Sequence, residues 1–232
     1  MLPVRLSQFL HSHLDIVSEN GRYFRPRSLY PIQLPSEFDE SLCRLIGWIH
    51  GDGNMSYRRI LITDECLDFH QDVLRPTFAR LFGVAPNIYH DRARNTFYTH
   101  LKSSILYDFM TQALEVPSGP VRNKLKVPSY IKELNLKLRS AYVGGLYDAE
   151  GHVKKRQAEI DFSTTCKDIQ VTVNDVLSAS GINHTLYSRS RRPNEEHEIY
   201  IYGKDDLRRF EDCIQFTHPI KKHKLANAIP LH

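Results

Sequence analysis

An internal repeat constrains this chain more than any other feature of its sequence. Residues 45–53 read LIGWIHGDG, and residues 143–151 read VGGLYDAEG. The acids near the end of the two segments, Asp52 and Glu150, lie 98 residues apart (150 − 52), which is the length of a small α/β unit. Self-similarity at a fixed spacing indicates that one structural unit is built twice. We therefore expect two related halves on one chain.

The segments after each copy predict the same order of elements. A strand precedes a helix that stops at a glycine, Gly83 or Gly181, and a hairpin then leads into a further helix. The order helix, hairpin, helix, hairpin, helix therefore occurs twice. The predicted helices span 65–81, 105–114, 167–179 and 205–216, and the predicted second hairpins pair 87–90 with 96–102 and 184–189 with 198–202.

The same pattern gives the domain organisation. Residues 41–115 form the first repeat and residues 137–232 form the second. Residues 116–136 contain three prolines, which is typical of a linker. Residues 1–40 lie outside the repeat as an N-terminal extension, in which the arginines of 22–35 suggest either a packed loop or a DNA-contacting arm.

Small residues stand four apart in both motifs, Gly47 with Gly51 and Gly145 with Ala149. Residues at this spacing share a helix face, so two such faces allow two backbones to pack closely. Parallel packing would bring Asp52 and Glu150 to the same end. Two carboxylates at helix C-termini repel each other and oppose the helix dipole, so a hard divalent cation such as Mg²⁺ is expected between them.

Composition indicates a globular protein and permits a nucleic-acid partner. The net charge is +4, and basic residues cluster at 57–59, 92–94, 154–156 and 189–192. The four cysteines are scattered, which argues against a zinc site and favours reduced thiols. The first residues are not expected to act as a secretory signal, and the sequence has no apolar run of the ~18 residues that a membrane span needs. We expect a cytoplasmic, nucleoid-associated protein.

The two segments resemble the signature of the LAGLIDADG homing endonucleases, and residues 145–151, GLYDAEG, match it closely. Two other segments agree with that family. KVPSYI at 126–131 resembles the K-x-P segment before its second motif, and CIQFTHPIK at 213–221 resembles its closing IGF-x-HP-x-K element. The resemblance covers residues 40–228 and extends to intein and intron-encoded endonuclease domains, although no protein-splicing motifs flank it.

The resemblance implies an α+β fold of two pseudo-symmetric αββαββα repeats, with saddle-shaped antiparallel sheets and the two motif helices at the interface. It implies a monomeric endonuclease that cuts double-stranded DNA at a long, asymmetric site. Mg²⁺ would be the cofactor, with Mn²⁺ able to substitute and Ca²⁺ supporting binding without cleavage.

The resemblance also assigns roles to residues. Asp52 and Glu150 take the positions of the metal-binding acids, and the carbonyls of Gly51 and Ala149 add ligands. Lys154 or its neighbour Lys155 would supply positive charge for catalysis. The hairpin residues expected on the DNA are Arg58, Arg59, Arg92, Arg94, Lys154, Lys155, Arg156, Gln157, Arg189, Arg191 and Arg192, with Tyr98, His100, Tyr187, Tyr200 and Tyr202 on the same face.

Two departures from the family leave alternatives open. His50 stands where the first motif usually has an earlier acid. Glu65 stands where active members often carry a lysine, and its counterpart is Thr165, with Lys167 two residues on. A group I intron RNA maturase and a non-cleaving DNA-binding regulator are therefore alternatives. The retained acid pair favours cleavage, because a pure binder gains nothing from two carboxylates beside phosphates.

Overall fold

The structure is a computed structural model that describes residues 2–26, 30–119, 125–154, 157–191 and 194–229, with Arg191 and Asn194 described by their backbone alone. The chain divides into two compact units. The first contains residues 1–42 and 52–120, and the second contains residues 43–51 and 121–232. Most of the first motif helix therefore packs within the second unit. No helix in these described ranges is long and apolar enough to cross a membrane.

The first unit is built on a four-stranded antiparallel sheet. Its strands are β4 (Gly53–Ser56), β5 (Arg59–Asp64), β6 (Asn87–Asp91) and β7 (Thr96–Lys102), in the order β4-β5-β7-β6. Alternate residues of β5, Ile60 and Ile62, are buried, as a sheet covered on one face requires. The helical segments are α3 (Arg75–Phe82), preceded by a π-helical segment Phe69–Leu74, and α4 (Ser104–Asp108), followed by a π-helical segment Phe109–Ala113.

The second unit repeats this architecture. Its strands are β8 (Gly151–Val153), β9 (Glu159–Thr164), β10 (His184–Arg191) and β11 (Asn194–Tyr202), in the equivalent order β8-β9-β11-β10. Its helices are α5 (Ser129–Glu133), α6 (Leu136–Glu150), α7 (Lys167–Ala179), α8 (Lys204–Cys213) and α9 (Pro219–Ala228), together with the body of α2 (Glu40–Asp52). The predicted α+β fold with two repeated antiparallel sheets is confirmed.

The N-terminal extension forms helix α1 (Leu2–Ser12) and a small sheet of β1 (Val17–Glu19), β2 (Arg22–Phe24) and β3 (Ile32–Gln33). The ring of Phe9 meets Phe109 edge-on, with centroids 5.7 Å apart. Arg25 lies within 2.7 Å of carboxylate oxygens of both Asp15 and Asp108. Arg25 is therefore a packing residue of the first unit, whereas residues 22–24 and 32–33 of the expected loop form strands.

Element boundaries differ from the sequence prediction in several places: the helix expected over 205–216 ends at Cys213, and strands β10 and β11 are longer than the predicted 184–189 and 198–202. A further difference, in the first unit, has a physical cause. A helix was expected over 65–81, but the helical segments there are Phe69–Leu74 and Arg75–Phe82. Asp64 accepts a hydrogen bond from the Cys66 amide at 2.6 Å, which keeps the chain in a turn before the helix. Pro76 has no amide N–H to donate, and the irregular π segment precedes it. As expected, the helices stop at Gly83 and Gly181, which adopt φ of 68° and 67°.

Candidate active site on the motif helices

The two motif helices, α2 and α6, pack directly against each other through their glycines. A Cβ atom on Gly47 would overlap the carbonyl oxygen of Tyr142, and a Cβ on Gly145 would overlap that of Arg44. These two contacts are equivalent under the repeat, because each glycine faces the residue three positions before the other glycine. The expected close backbone packing of the motif helices is therefore confirmed.

The same close approach continues to the last turn of both helices. A Cβ on Gly51 would overlap the Cβ of Ala149 and would lie 3.6 Å from Cγ of Glu150. Asp52, the last residue of α2, follows Gly51 directly, and Glu150 ends α6. Both acids are exposed, as a role in binding a ligand requires.

This packing gives a stability prediction for position 51. Gly51→Ala adds a methyl group where Ala149 already fills the space, and overpacking of this kind costs ~1–3 kcal/mol. The double variant Gly51→Ala/Ala149→Gly keeps one methyl group at the crossing, so most of the loss should be recovered. Urea unfolding of both variants and of Ala149→Gly alone measures this. A double variant no more stable than Gly51→Ala would contradict the proposed contact.

Two cross-helix pairs explain the departure at His50. Arg44 donates to Asp148 at 3.1 Å, and His50 Nδ1 lies 2.9 Å from the Tyr142 hydroxyl. Arg44 corresponds to Tyr142 in the repeat, and Asp148 corresponds to His50. The two pairs therefore occupy equivalent positions. The ionic pair Arg44–Asp148 corresponds to the neutral pair Tyr142–His50. Burial lowers the pKa of His50 to about 4, so the imidazole is neutral near pH 7.

Asp148 is fully buried and organises the closing segment of the chain. Its carboxylate accepts hydrogen bonds from Trp48 Nε1 at 2.9 Å, from the Thr217 amide at 2.8 Å and from the His218 amide at 2.9 Å, besides that of Arg44. The Thr217 hydroxyl donates to it as well. A buried charge with this many donors is stabilised in place. Asp148 therefore ties the motif helices to residues 217–218.

Lys221 occupies the C-terminal end of α6. Its Nζ donates to the carbonyl oxygens of Asp148 and Ala149 at 2.5 and 2.6 Å, and to that of Tyr147 at 3.3 Å. A cation here donates to carbonyls of the last helical turn, of which that of Tyr147 also accepts the Gly151 amide, and it opposes the negative end of the helix dipole. No role for Asp148 or Lys221 was expected from the sequence. The closing element at 213–221, which contains Lys221, was the signal that could have found it.

Burial and the charge of Lys221 act in opposite directions on the pKa of Glu150. Neighbouring atoms remove part of the water around the Glu150 carboxyl and raise its pKa, while the positive charge of Lys221 lowers it. The net effect is a raised pKa, although Glu150 is exposed. The ionised form of a carboxylate that has lost part of its hydration is stabilised by a nearby cation.

A cavity of about 250 Å³ adjoins this helix end. Its lining includes Gly51 and Glu150, together with Ser163, Thr164 and Thr165 from the end of β9 and the following turn. Thr165 was the expected counterpart of the family's lysine, and it lies at this cavity. Lys167 donates instead to Gln170 at 2.6 Å. None of the described residues that line the cavity is a lysine or an arginine.

The expected DNA-contacting residues of the second unit that the structure describes lie on strand β10 or in the connection between β8 and β9. Lys154 forms an ion pair with Glu159 at 2.5 Å and lies 5.6 Å from the ring centre of Tyr200. Arg189 lies 3.2 Å from Glu198, and Gln157 is exposed. Lys155, Arg156 and Arg192 lie outside the described residues, and Arg191 is described only as the last residue of β10.

In the first unit the expected DNA-contacting residues lie at hairpin turns or on the open face of the sheet. Arg58 is in the turn between β4 and β5, and Arg59 begins β5. Arg92 and Arg94 are exposed in the turn between β6 and β7, where Arg94 lies 3.8 Å from Asp91. Their contact with DNA remains a prediction.

Comparisons with known proteins agree with this geometry. The family model of the LAGLIDADG-like domain matches residues 137–215. The chain is 26% identical over 200 residues to the glutamine–fructose-6-phosphate aminotransferase of Methanocaldococcus jannaschii. This match covers 84% of this chain and 18% of that protein. It is 27% identical over 151 residues to the homing endonuclease I-ApeI of Aeropyrum pernix, covering 63% of this chain and 67% of that one.

A solved structure of the homing endonuclease I-DmoI, in complex with DNA and Mn, superimposes with a TM-score of 0.58. Sequence identity is 19%, and the match covers 78% of this chain and 99% of that chain. A likeness at this identity establishes the fold alone. This chain spans only 18% and 24% of the length of the first two curated relatives, so their activities do not transfer to it.

Two glycine-packed helices, each followed by a four-stranded antiparallel sheet of the same strand order, define a protein of the LAGLIDADG fold class. The matching family model and the I-ApeI relative agree with that class. Residues 137–215 match the LAGLIDADG-like domain, and the chain has the LAGLIDADG fold.

Proposed function

We propose that this chain is a site-specific double-strand DNA endonuclease that hydrolyses phosphodiester bonds. The observation that carries the proposal is the packed pair of motif-helix ends. Gly51 packs against Ala149, and the next residue in each helix is an exposed acid, Asp52 or Glu150. The match of residues 137–215 to the LAGLIDADG-like domain and the I-ApeI relative support the same activity.

The residues at these helix ends suit a hard divalent cation. Asp52 and Glu150 would hold it through carboxylate oxygens, with the carbonyls of Gly51 and Ala149 as further oxygen ligands, and oxygen ligands favour Mg²⁺. The Ala149 carbonyl already accepts a hydrogen bond from Lys221, but a carbonyl oxygen has a second lone pair. Structures of I-DmoI with DNA and Mg, Mn or Ca support Mg²⁺ as cofactor, Mn²⁺ as a substitute and Ca²⁺ as a support for binding.

When bound, such a cation activates water and neutralises charge on the phosphoryl oxygens and the leaving oxygen. The protein's own residues prepare the site for it. Lys221 cancels the negative end of the α6 dipole beside Glu150, which favours the ionised carboxylate. Asp148 holds that helix end against residues 217–218, so the position of Glu150 is fixed by buried hydrogen bonds.

The open faces of the two sheets are the proposed DNA-binding surface, and they differ in chemistry. The first carries Arg59 and His100, which are on paired strands β5 and β7. The second carries three tyrosines, with ring centroids 5.5 Å apart for Tyr187–Tyr200 and 5.9 Å for Tyr200–Tyr202. Because one chain supplies both faces, we propose that the protein acts as a monomer on an asymmetric target.

Cleavage selection on a randomised duplex library with Mg²⁺ or Mn²⁺ tests the proposal. We expect the cleaved duplexes to share one long site whose two halves differ. A palindromic site would overturn the asymmetry. Failure to cut any duplex in the presence of either metal ion would overturn the proposed endonuclease activity.

A second candidate function, a DNA-binding regulator that does not cut, rests on one observation. No lysine lines the cavity beside Glu150 among the described residues, and Glu65 stands at the family's other lysine position. Binding of a duplex in gel-shift assays without cleavage in Mg²⁺ or Mn²⁺ would establish this function in place of the first.

Salt dependence tests the role of Lys154. Removing one phosphate contact should reduce the log–log salt slope of binding by about 0.9 and weaken binding to all sequences alike. Lys154→Met also leaves the Glu159 carboxylate without its partner on the proposed DNA face, so the double variant Lys154→Met/Glu159→Gln should bind more tightly than Lys154→Met. Equal affinity of the two variants, measured by fluorescence anisotropy, would show that this pair is remote from DNA.

A further inference from the structure

The hairpin that follows Asp52 turns through two residues in an unusual backbone conformation. Ser56 of β4 pairs with Arg59 of β5, so the loop between them is Tyr57-Arg58. Tyr57 has φ of 50° and Arg58 has φ of 58°. Side chains with a Cβ rarely adopt this left-handed region, which is why two-residue turns of this kind favour Asn-Gly. Tyrosine and arginine are therefore strained in this turn.

Another two-residue turn of the same geometry, between β1 and β2, has the favoured Asn-Gly sequence. Glu19 of β1 pairs with Arg22 of β2, and the two residues between them are Asn20 and Gly21, with φ of 52° and 72°. The same type of turn is thus built once with an unstrained pair and once with a strained pair. The strained pair is the one that begins five residues after Asp52.

The fold does not depend on the two side chains in the strained turn. Tyr57 is 85% exposed, the largest exposure of any aromatic side chain among the described residues. Arg58 is also exposed. The turn is fastened by its backbone, because the Ser103 amide donates to the Arg58 carbonyl at 3.2 Å. The guanidinium of Arg59 lies 5.8 Å from the centre of the Tyr57 ring, which orients the ring at the surface.

Strain that stabilises nothing within the fold points to a role in binding. The four residues of β4 separate Asp52 from Tyr57, so the turn begins within about 17 Å of the acid. Along a duplex that distance corresponds to about five base pairs. Phosphate oxygens at this distance from the cut are within reach of a phenol hydroxyl and a guanidinium, both of which donate hydrogen bonds.

We propose that the Tyr57-Arg58 turn is a rigid anchor for the DNA backbone, which contacts the first half-site without reading its sequence. The inference rests on the proposed DNA-binding function. The left-handed backbone fixes both side chains at the tip of the hairpin, so they need little further ordering when DNA binds.

Replacing Tyr57-Arg58 by Asn-Gly separates strain from function, because relief of strain raises stability while loss of the two side chains lowers affinity for DNA. We expect Tyr57→Asn/Arg58→Gly to raise the Tm by about 2–4 °C as the strain is relieved. We expect its affinity for a labelled duplex pool of randomised sequence, in Ca²⁺, to fall about tenfold, with a salt slope smaller by about 0.9 for each phosphate that the variant no longer neutralises. Tyr57→Asn alone keeps Arg58 and should bind the pool more tightly than the double variant.

The reciprocal variant, Asn20→Tyr/Gly21→Arg, is the matched control for strain. It should lower the Tm, and an unchanged Tm would overturn the strain argument. A Tyr57→Asn/Arg58→Gly variant that binds the pool as tightly as the native protein would overturn the anchor while leaving the proposed function intact. A lower Tm would show that the side chains serve the fold, and a change in sequence preference would show base reading. If the native protein does not bind the pool, the proposed function fails, and the anchor fails with it.

Discussion

Asp52→Asn and Glu150→Gln should each reduce the rate of DNA cleavage by at least about a thousandfold, which corresponds to ~4 kcal/mol of activation free energy. Each substitution removes one negative oxygen ligand and keeps the size of the side chain, so the packing of Gly51 on Ala149 should persist. Loss of the cation removes the activated water and the stabilisation of the leaving oxygen. Single-turnover cleavage of the selected duplex in Mg²⁺ measures the effect.

DNA binding should survive the same substitutions. In Ca²⁺, affinity should be equal or higher, because a carboxylate close to phosphates has been neutralised. Asp212→Asn, at an exposed acid near the end of α8, is the control and should cleave at the native rate. If either motif variant also cleaves at that rate, its carboxylate does not belong to the active site.

Asp148→Ala should have the largest effect on stability, a loss of about 3–5 kcal/mol in the free energy of unfolding. The substitution leaves the amides of Thr217 and His218 without their acceptor and the Arg44 charge uncompensated, although its guanidinium still donates to the carbonyls of Ile214 and Gln215. Each buried donor left unpaired carries its own desolvation cost. Thermal and urea unfolding measure the loss.

A second variant separates the charge from the hydrogen bonds. Asp148→Ala/Arg44→Leu also removes the uncompensated guanidinium, so it should be more stable than Asp148→Ala alone. Asp148→Asn keeps an acceptor oxygen and should fall between the native protein and Asp148→Ala. Native stability of Asp148→Ala would show that this network contributes little to the fold.

Local patterns in the sequence predicted most of the fold. The 98-residue repeat, the glycine spacing in the motifs and the strand–helix order are visible without knowledge of which residues touch. They predicted two equivalent sheets and two closely packed helices, both of which the structure confirms. The two metal-binding acids were also predictable, because carboxylates at equivalent helix ends in both halves indicate a shared function.

The hairpin after Asp52 has a feature that such local patterns do not predict. Its strands are predictable from alternation, and Arg58 was singled out as a basic residue of the turn. The positive φ values of Tyr57 and Arg58 were not predictable, because neither residue favours that conformation. The pairing of Ser56 with Arg59 leaves only two residues for the turn, and this register imposes the strain.

The sequence by itself determined that there are two halves, that glycines bring the motif helices together, and that an acid ends each helix. Tertiary structure decided which neighbouring acid is buried and which is exposed. Asp148 and Glu150 are two residues apart, yet Asp148 is fully buried and Glu150 faces solvent. The partners of Asp148 include Arg44 and Thr217, which are 104 and 69 residues away along the chain. Burial and charge compensation depend on such distant contacts, and a local pattern does not contain them.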